Sequence, residues 1–442
     1  MTFQGDAVSM AAPCIGSLLA LVALLFALRA GRRKRLVDNI PTSKTTGVFI
    51  GLVELKGTAE AETPLRSVLA EVPCVFYRWS VEERWSRTVT ETTTDSQGHT
   101  STRTRTKSGW TTVASGEDAT PFYLKDDRGV ILVRPEGADL RGDTVFDRTC
   151  GDGDPLYYAK GPASAVANSD HRRRFVEGAI PLHAGLYIMG QARERSDIVA
   201  AEIARDPNAP MYLITTQPEE RVSRGLRLAF WGLSALGLVL AAAGVFIRTA
   251  RQGVLPAQAA PAWLAAGGIY LGAWFLGWLW TAYNGMVELR QRVRQAWANV
   301  DVQLKRRNDL IPKLVEVAAG LRDYERRVQT EVTHLRTQLT ATPPGEPGPD
   351  PHACGQAIAA IVERYPELKA NDAFLALQKT LIDTEDRIGL ARAYFNDIAT
   401  FYNTRLETIP DRYVAALGRM KPRAVMAADN FEREPIRVEL AA

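Results

Sequence analysis

Cysteine is scarce and scattered: Cys14, Cys74, Cys150 and Cys354 lie far apart, with no C-x-x-C and no histidine at ligand spacing. That excludes a recognisable zinc module and leaves no disulfide framework to read. The five histidines, His99, His171, His183, His334 and His352, never form H-E-x-x-H, and neither G-x-x-x-x-G-K-[ST] nor G-x-G-x-x-G occurs. The acidic stretch Gly151 to Asp154 is too short for a calcium loop and reads as a turn. No catalytic, cofactor-binding or metal-ligating residue can be assigned, so the expectation is a protein that is not an enzyme and uses no cofactor. Charge of one sign is also missing. A net +4 over 442 residues gives no whole-chain case for binding nucleic acid, and the basic residues matter by where they cluster.

What is present is apolar sequence in three blocks. Ile15 to Leu28 carries no charge and, with Met10 to Cys14 before it, is about long enough to span a bilayer. Its basic run, Arg29, Arg32, Arg33, Lys34 and Arg35, follows the apolar core instead of preceding it, which marks a start-anchor and not a cleaved signal. Leu228 to Ile247 is about 20 residues, enough at ~1.5 Å per residue for a ~30 Å hydrocarbon layer. Ala262 to Ala282 is similar and ends in tryptophans that favour a headgroup interface, among them Trp278 and Trp280. A short loop with Pro256 and Pro261 should separate these last two blocks, making a helical hairpin.

Basic residues beside the spans fall mostly on one side if the N-terminus lies outside: Arg29 to Arg35, Arg221, Arg224, Arg227, Arg290, Arg292 and Arg294, against Arg248 and Arg251 on the other. Both soluble regions are therefore expected in the cytoplasm, where thiols stay reduced. Gly268 and Gly272 have the G-x-x-x-G spacing that lets helices approach closely. The neighbouring span of the same chain is the expected contact, with an oligomer interface as the alternative.

Between the first two spans, short runs rich in Val, Ile, Tyr, Phe and Trp argue strands: Gly47 to Leu55, Cys74 to Trp85, Trp110 to Val113, Phe122 to Leu124, Val130 to Val133 and Leu186 to Gly190. The Thr-rich stretch from Ser86 to Thr112, with Gln97 and Gly98 at its middle, reads as a long exposed hairpin. Trp79, Trp85 and Trp110 are either cross-strand packing or a partner-binding surface. The stretches beginning Pro73 (PCVFYRWSVEE), Leu124 (LKDDRGVILVRPEGA) and Phe175 (FVEGAIPLHAGLYIMGQA) together resemble the GIDE, or beside-a-membrane, domain. That resemblance implies a β-rich domain between membrane helices. It does not import ubiquitin-ligase chemistry, which belongs to a separate zinc RING module that this sequence lacks.

From Val293 apolar residues step by four and three: Val293, Trp297, Val300 and Leu304, then Ile311, Leu314, Ala318 and Leu321, on to Leu339, interrupted only by Arg307 and Glu325. Such a seam predicts one long amphipathic helix continuing directly out of the third span, kinked but not ended at Pro312. A Pro-rich connection follows at 342–351, and a second stripe runs Phe374, Leu377, Leu381, Thr384, Ile388, Ala391, Phe395, Ile398 and Tyr402. Asn371 and Asp372 should cap its start. Antiparallel pairing that aligns the polar interruptions brings Glu385 to Arg307 or Asn308 and returns the second helix to the membrane surface. The runs beginning Tyr283 (YNGMVELRQRVRQAWANVDVQLKRRNDLIPKLVE) and Leu381 (LIDTEDRIGLARAYFNDIATFYNTRLETIP) resemble the LemA family. That resemblance implies a bacterial membrane-anchored helical bundle, and the family includes a relative implicated in organelle membrane formation in magnetotactic bacteria.

The expected fold is thus a multi-pass membrane protein of α+β class, with three transmembrane helices, a β-rich GIDE-like domain and an antiparallel long-helix bundle of LemA-like type. The expected order is a short N-terminal tail (1–14), a first transmembrane helix with its basic flank (15–35), a β-rich domain (40–222), transmembrane helices at 228–248 and 262–282, and a helical domain (283–442). The expected function is an inner-membrane scaffold that self-associates, with Arg290, Arg292, Arg294, Lys305, Arg306 and Arg307 held near anionic headgroups at roughly 1 kcal/mol each. The alternative is an adaptor or sensor whose GIDE-like domain binds an unidentified protein or ligand. A channel is disfavoured because no ionisable residue sits inside a span.

Overall fold

The computed structural model describes residues 3–94, 100–195, 200–319 and 372–426. The chain divides into two compact units, Thr42–Glu219 and the combined stretches Met1–Pro41 and Glu220–Ala442.

The first unit is built from two sheets. In one, β2 (Gly51–Glu60), β6 (Phe122–Lys125), β7 (Val130–Val133), β12 (Ala201–Ala204) and β11 (Gly185–Glu194) pair in a closed ring, because β11 bonds back to β2. Closure leaves no open edge within the ring. Leu55, Leu124, Val133, Ile188 and Ile203 point inward and are fully buried. The short strands β1 (Thr42–Ser43), β13 (Leu213–Thr215) and β8 (Asp139–Arg141) extend this sheet outside the ring. The second sheet has the order β9 (Asp143–Gly151), β10 (Ser169–Pro181), β4 (Pro73–Thr94), β5 (Thr100–Ala119), with β3 (Leu65–Arg66) on the start of β4. β4 and β5 form the long Thr-rich hairpin, paired from Phe76 opposite Ala119 to Thr94 opposite Thr100. Gln97 and Gly98 lie outside the described residues.

A short helix, α2 (Pro155–Ala159), is capped by the Asp154 side chain, so the Gly151 to Asp154 segment is a turn feeding a helix. Arg173 and Glu83 meet beneath it at 3.1 Å, both fully buried. The guanidinium also donates to the carbonyls of Tyr157 (2.8 Å), Pro162 (2.7 Å) and Ser164 (3.1 Å), and the Tyr157 hydroxyl donates to Glu83 at 3.0 Å. A buried charge pair with its remaining donors and acceptors satisfied is tolerated in a core. Burial alone would raise the Glu83 carboxyl; the hydrogen bonds from Ser169, Tyr157 and Arg173 outweigh it and hold the pKa below 4.5.

The second unit is helical. Three of its helices are long and apolar enough to cross a membrane. The first, α1 (Phe3–Asn39), starts near the beginning of the chain, so residues 3–14 belong to the helix and do not form the expected tail. α3 (Glu219–Arg251) begins nine residues before the expected boundary at 228. α4 (Pro256–Ala319) takes in Pro256 and Pro261, which the sequence suggested were loop; Pro256 takes the first helical position, where no N–H is needed, and Pro261 lies in the second turn. α4 runs 64 residues through Pro312 without a break.

Small residues let these helices touch. A Cβ on Gly16 would stand 2.8 Å from the Leu240 carbonyl and 2.9 Å from Gly244 Cα, and Gly31 faces the Phe230 ring, so α1 and α3 are antiparallel. Trp263 donates to Thr249 (3.1 Å) and Trp274 to Ser234 (3.1 Å), so α3 and α4 are antiparallel too. Leu28 packs at Gly277 and Arg35 lies beside Gly285, so α1 and α4 run in the same direction. Gly268 and Gly272 correct the expected contact within the chain: a Cβ on either would meet nothing within 4 Å. The close approaches fall instead at Gly16, Gly237, Gly244 and Gly277.

Candidate functional site

The helical unit concentrates its polar side chains where α1, α3 and α4 leave their apolar segments. There α5 (Asp372–Glu407) returns antiparallel along α4, and α6 (Asp411–Leu417) turns beneath it. The seam is apolar because the three-and-four stepping puts one stripe of each helix inward: Val293, Val300 and Leu304 face Leu381, Ile388, Ala391, Ile398 and Tyr402, all buried. Trp297 meets Phe395 edge-on, with ring centroids 5.6 Å apart. At the base, Ala282, Met286, Val414 and Ala415 close a cluster with Trp278 and Leu279. Burial pushes the pKa of the Tyr402 hydroxyl up.

The structure brings Arg307 and Glu385 together, 3.8 Å apart and almost fully buried in this seam. Arg307 is therefore not a membrane-surface residue, a correction to that expectation. The other residues of the basic group separate by position. Lys305, Arg306 and Arg294 are exposed, Arg292 pairs with Glu288 at 3.3 Å, and Arg290 is half-buried against α5 near Tyr402. The side chains of Asn308, Ile311, Leu314 and Phe374, and Asn371 and residues 342–351 entirely, lie outside those described.

An ionic junction that sequence reasoning missed ties the helices at the base. Arg35 donates two hydrogen bonds to Asp411, at 3.0 and 3.1 Å, and Arg405 donates to the same carboxylate at 3.3 Å. Arg405 also donates to Asn39 (2.9 Å), and Ser223 donates to Asp38 (2.7 Å). The α1 partners are 185 to 376 residues apart in sequence, a separation that helical periodicity within one segment cannot reveal. Above the junction, residues 421–426 lie along α5. Asn403 clamps the Arg423 backbone with bonds of 2.7 and 2.8 Å, and Asn396 clamps Met426 with bonds of 2.8 and 3.0 Å. Asn396 and Asn403 are one heptad apart, which is the signal that was available.

The tryptophans do not form one surface. Trp79 lies over Gly116 and Trp85 over Gly109, directly across the β4–β5 ladder, each occupying the space a Cβ would need. Trp110 pairs with Arg84 one register position on, hence on the opposite face, and is 44% exposed. The expected surface of Trp79, Trp85 and Trp110 is thus divided between two faces, because adjacent residues of a strand point opposite ways. Among the described residues no group of three or more His, Cys, Asp or Glu side chains is arranged to hold a metal ion.

Residues 296–440 match the LemA family model, and residues 90–246 match the GIDE model, whose description is E3 ubiquitin ligase. Among curated proteins, magnetosome protein MamQ 2 of Paramagnetospirillum magneticum is 22% identical over 192 residues, covering 36% of this chain and 68% of that protein. Protein LemA of Metamycoplasma hominis is 24% identical over 155 residues, covering 34% and 71%. Magnetosome protein MamQ of Magnetospirillum gryphiswaldense is 24% identical over 178 residues, covering 33% and 65%. The chain thus joins a stretch that matches the GIDE model to a C-terminal stretch that matches the LemA family model, beside three helices long and apolar enough to cross a membrane.

Proposed function

We propose that the chain is a non-enzymatic scaffold of the bacterial inner membrane that self-associates and organises, remodels or monitors the bilayer. The observation that carries this reading is α4, one continuous 64-residue helix that leads from an apolar segment into the buried seam with α5. A rigid connection of that kind couples the arrangement of helices outside the bilayer to the arrangement within it. The similarity to magnetosome and LemA proteins supports the membrane-associated part of this reading. Its partners are then the lipid bilayer and further copies of itself, with no nucleic acid and no cofactor.

The N-terminus outside and both soluble regions in the cytoplasm is the arrangement supported by the basic flanks and by the common end at which α1, α3 and α4 emerge. Ile409, Tyr413 and Leu417 step by four along and beside α6 and are 66%, 67% and 75% exposed, at the level where Trp278 and Ala282 end the third apolar segment. Such a stripe, flanked by Arg412, Arg419 and Lys421, suits a headgroup interface. Self-association within the bilayer is supported by Gly268 and Gly272, which face away from the chain's own helices beside the exposed Leu264 and Ile269. Native mass spectrometry of the full chain in nanodiscs tests the reading: oligomers that weaken in Gly268→Leu and Gly272→Leu are expected. Monomers at every concentration would overturn it.

A second reading, an adaptor or sensor, is favoured by one observation. Trp79 and Gly116 line an open cavity of about 630 Å³ with Leu140, Arg141 and Thr144. Under that reading Trp79→Ala abolishes partner capture and leaves oligomers intact. A pull-down unaffected by the change argues against it.

A further inference from the structure

Between α1 and α4, where both leave their apolar segments, lies a cavity of about 420 Å³, within the roughly 300–1,000 Å³ common for small-ligand sites. Its composition is divided by height. Trp280, 70% exposed, Thr281 and Arg32 line the end nearest the apolar segment, and Asn284, Glu288 and Arg292 line the part beyond it. Leu36 forms a buried apolar wall. A tryptophan at the apolar end with guanidiniums beside and beyond it is the profile of a site for a molecule with an apolar body and an anionic head.

Charge sharpens the assignment. Of the guanidiniums in the lining, Arg35 is held by Asp411 in a two-bond contact and is not available to a ligand. Arg292 leans on Glu288 at 3.3 Å with its side chain 13% exposed. Arg32 makes no ion pair among the described residues. One carboxylate therefore faces two cations that are not otherwise committed, and a single added phosphodiester would balance the cavity. Asn284 supplies a neutral donor beside them.

We propose that this cavity binds the phosphate of one anionic phospholipid, with Arg32 and Arg292 as its cationic ligands and Trp280 against the glycerol and upper acyl chain. The ligand chemistry, a phosphate monoanion, could also come from a soluble ion. Trp280 and the position of the cavity beside apolar helices favour the lipid. The inference rests on the reading that the apolar helices span a bilayer.

Full-length protein in nanodiscs of phosphatidylcholine with a minor share of phosphatidylglycerol, stripped into detergent and weighed by native mass spectrometry, tests it. One phosphatidylglycerol retained per chain is expected. In Arg32→Gln/Arg292→Gln retention falls roughly twenty- to thirty-fold, taking ~1 kcal/mol for each basic side chain. Glu288→Gln, which removes the competing carboxylate, retains the lipid more tightly and keeps the test decisive where the double variant fails to fold. Equal retention of phosphatidylcholine, or retention unchanged in the variants, overturns the proposal. Displacement of the lipid by millimolar inorganic phosphate assigns the site to a soluble anion and overturns it as well. Failure of the chain to enter nanodiscs at all refutes the membrane reading itself, a result separate from any change in lipid selectivity.

Discussion

Both units bury an arginine against a glutamate, and they use the pair differently. In the β unit Arg173 and Glu83 stand 3.1 Å apart, and carbonyls of Tyr157, Pro162 and Ser164 and hydroxyls of Tyr157 and Ser169 complete the network. In the helical unit Arg307 and Glu385 stand 3.8 Å apart, beyond direct hydrogen-bond range, in a seam of Leu and Ile. The first pair nails α2 and the turn after it, 155–164, onto a sheet. The second sits where two continuous apolar stripes could slide by a heptad, and a single polar layer removes that freedom. A buried ion pair is thus a lock on a loop in one place and a register mark in the other.

The largest effect should come from breaking the lock. Arg173→Met leaves Glu83 buried without its cation and should cost about 3–5 kcal/mol, read as early hydrogen exchange across residues 155–177. Equal protection in variant and parent would remove the lock interpretation. Next is the register mark: Glu385→Leu alone should destabilise the α4–α5 pair by roughly 3 kcal/mol, whereas Arg307→Leu/Glu385→Leu should restore stability to within about 1 kcal/mol. The double variant should then show mixed crosslinks between cysteines placed on the two helices, and a single crosslink pattern would sink the register role.

Acid should separate the units further. Glu83, Glu202 and Asp126 all have carboxyl groups held below their ordinary values. Burial opposes this in each, and hydrogen bonds from Arg134 and Arg193 on Glu202, and from the Thr45 hydroxyl and backbone amides on Asp126, outweigh it. A group whose folded value is depressed contributes stability fully present above its unfolded value and lost as pH falls through the folded one. The β unit should therefore weaken below about pH 4.5, the ordinary value for Glu83, and circular dichroism in the strand band across pH 6 to 2 measures the loss. Burial raises Glu54 and works the other way, softening the decline. The smallest effect is Trp85→Ala, which uncovers Gly109 on a solvated hairpin and should cost no more than about 1 kcal/mol in urea unfolding.

The two units also differ in how legible they were. The helical seam was readable because its spacing is a property of one segment: Leu381, Ile388, Phe395 and Tyr402 announce a shared face before any partner is known. The β unit was harder. β10 contains Arg172, Arg173 and Arg174, a run that reads as exposed although Arg173 is fully buried. Nothing local distinguishes it, since its partner Glu83 is 90 residues away. The ring closure from β11 to β2 is likewise a long-range pairing with no local cue. Gly268 and Gly272 mislead for a related reason. G-x-x-x-G marks a surface where another helix can approach closely, but not which helix, and the chain's own neighbours use Gly16, Gly237, Gly244 and Gly277.

Asn396 and Asn403 hold residues 423 and 426 through peptide groups only, two bonds at each position. Bonds made to peptide groups alone read chain direction and spacing, not spelling. The exposed residues 421–425 of the strap are therefore free to change while it stays seated, whereas Met426 is also buried, and a proline at 423 or 426, which removes the gripped N–H, is the substitution it does not tolerate.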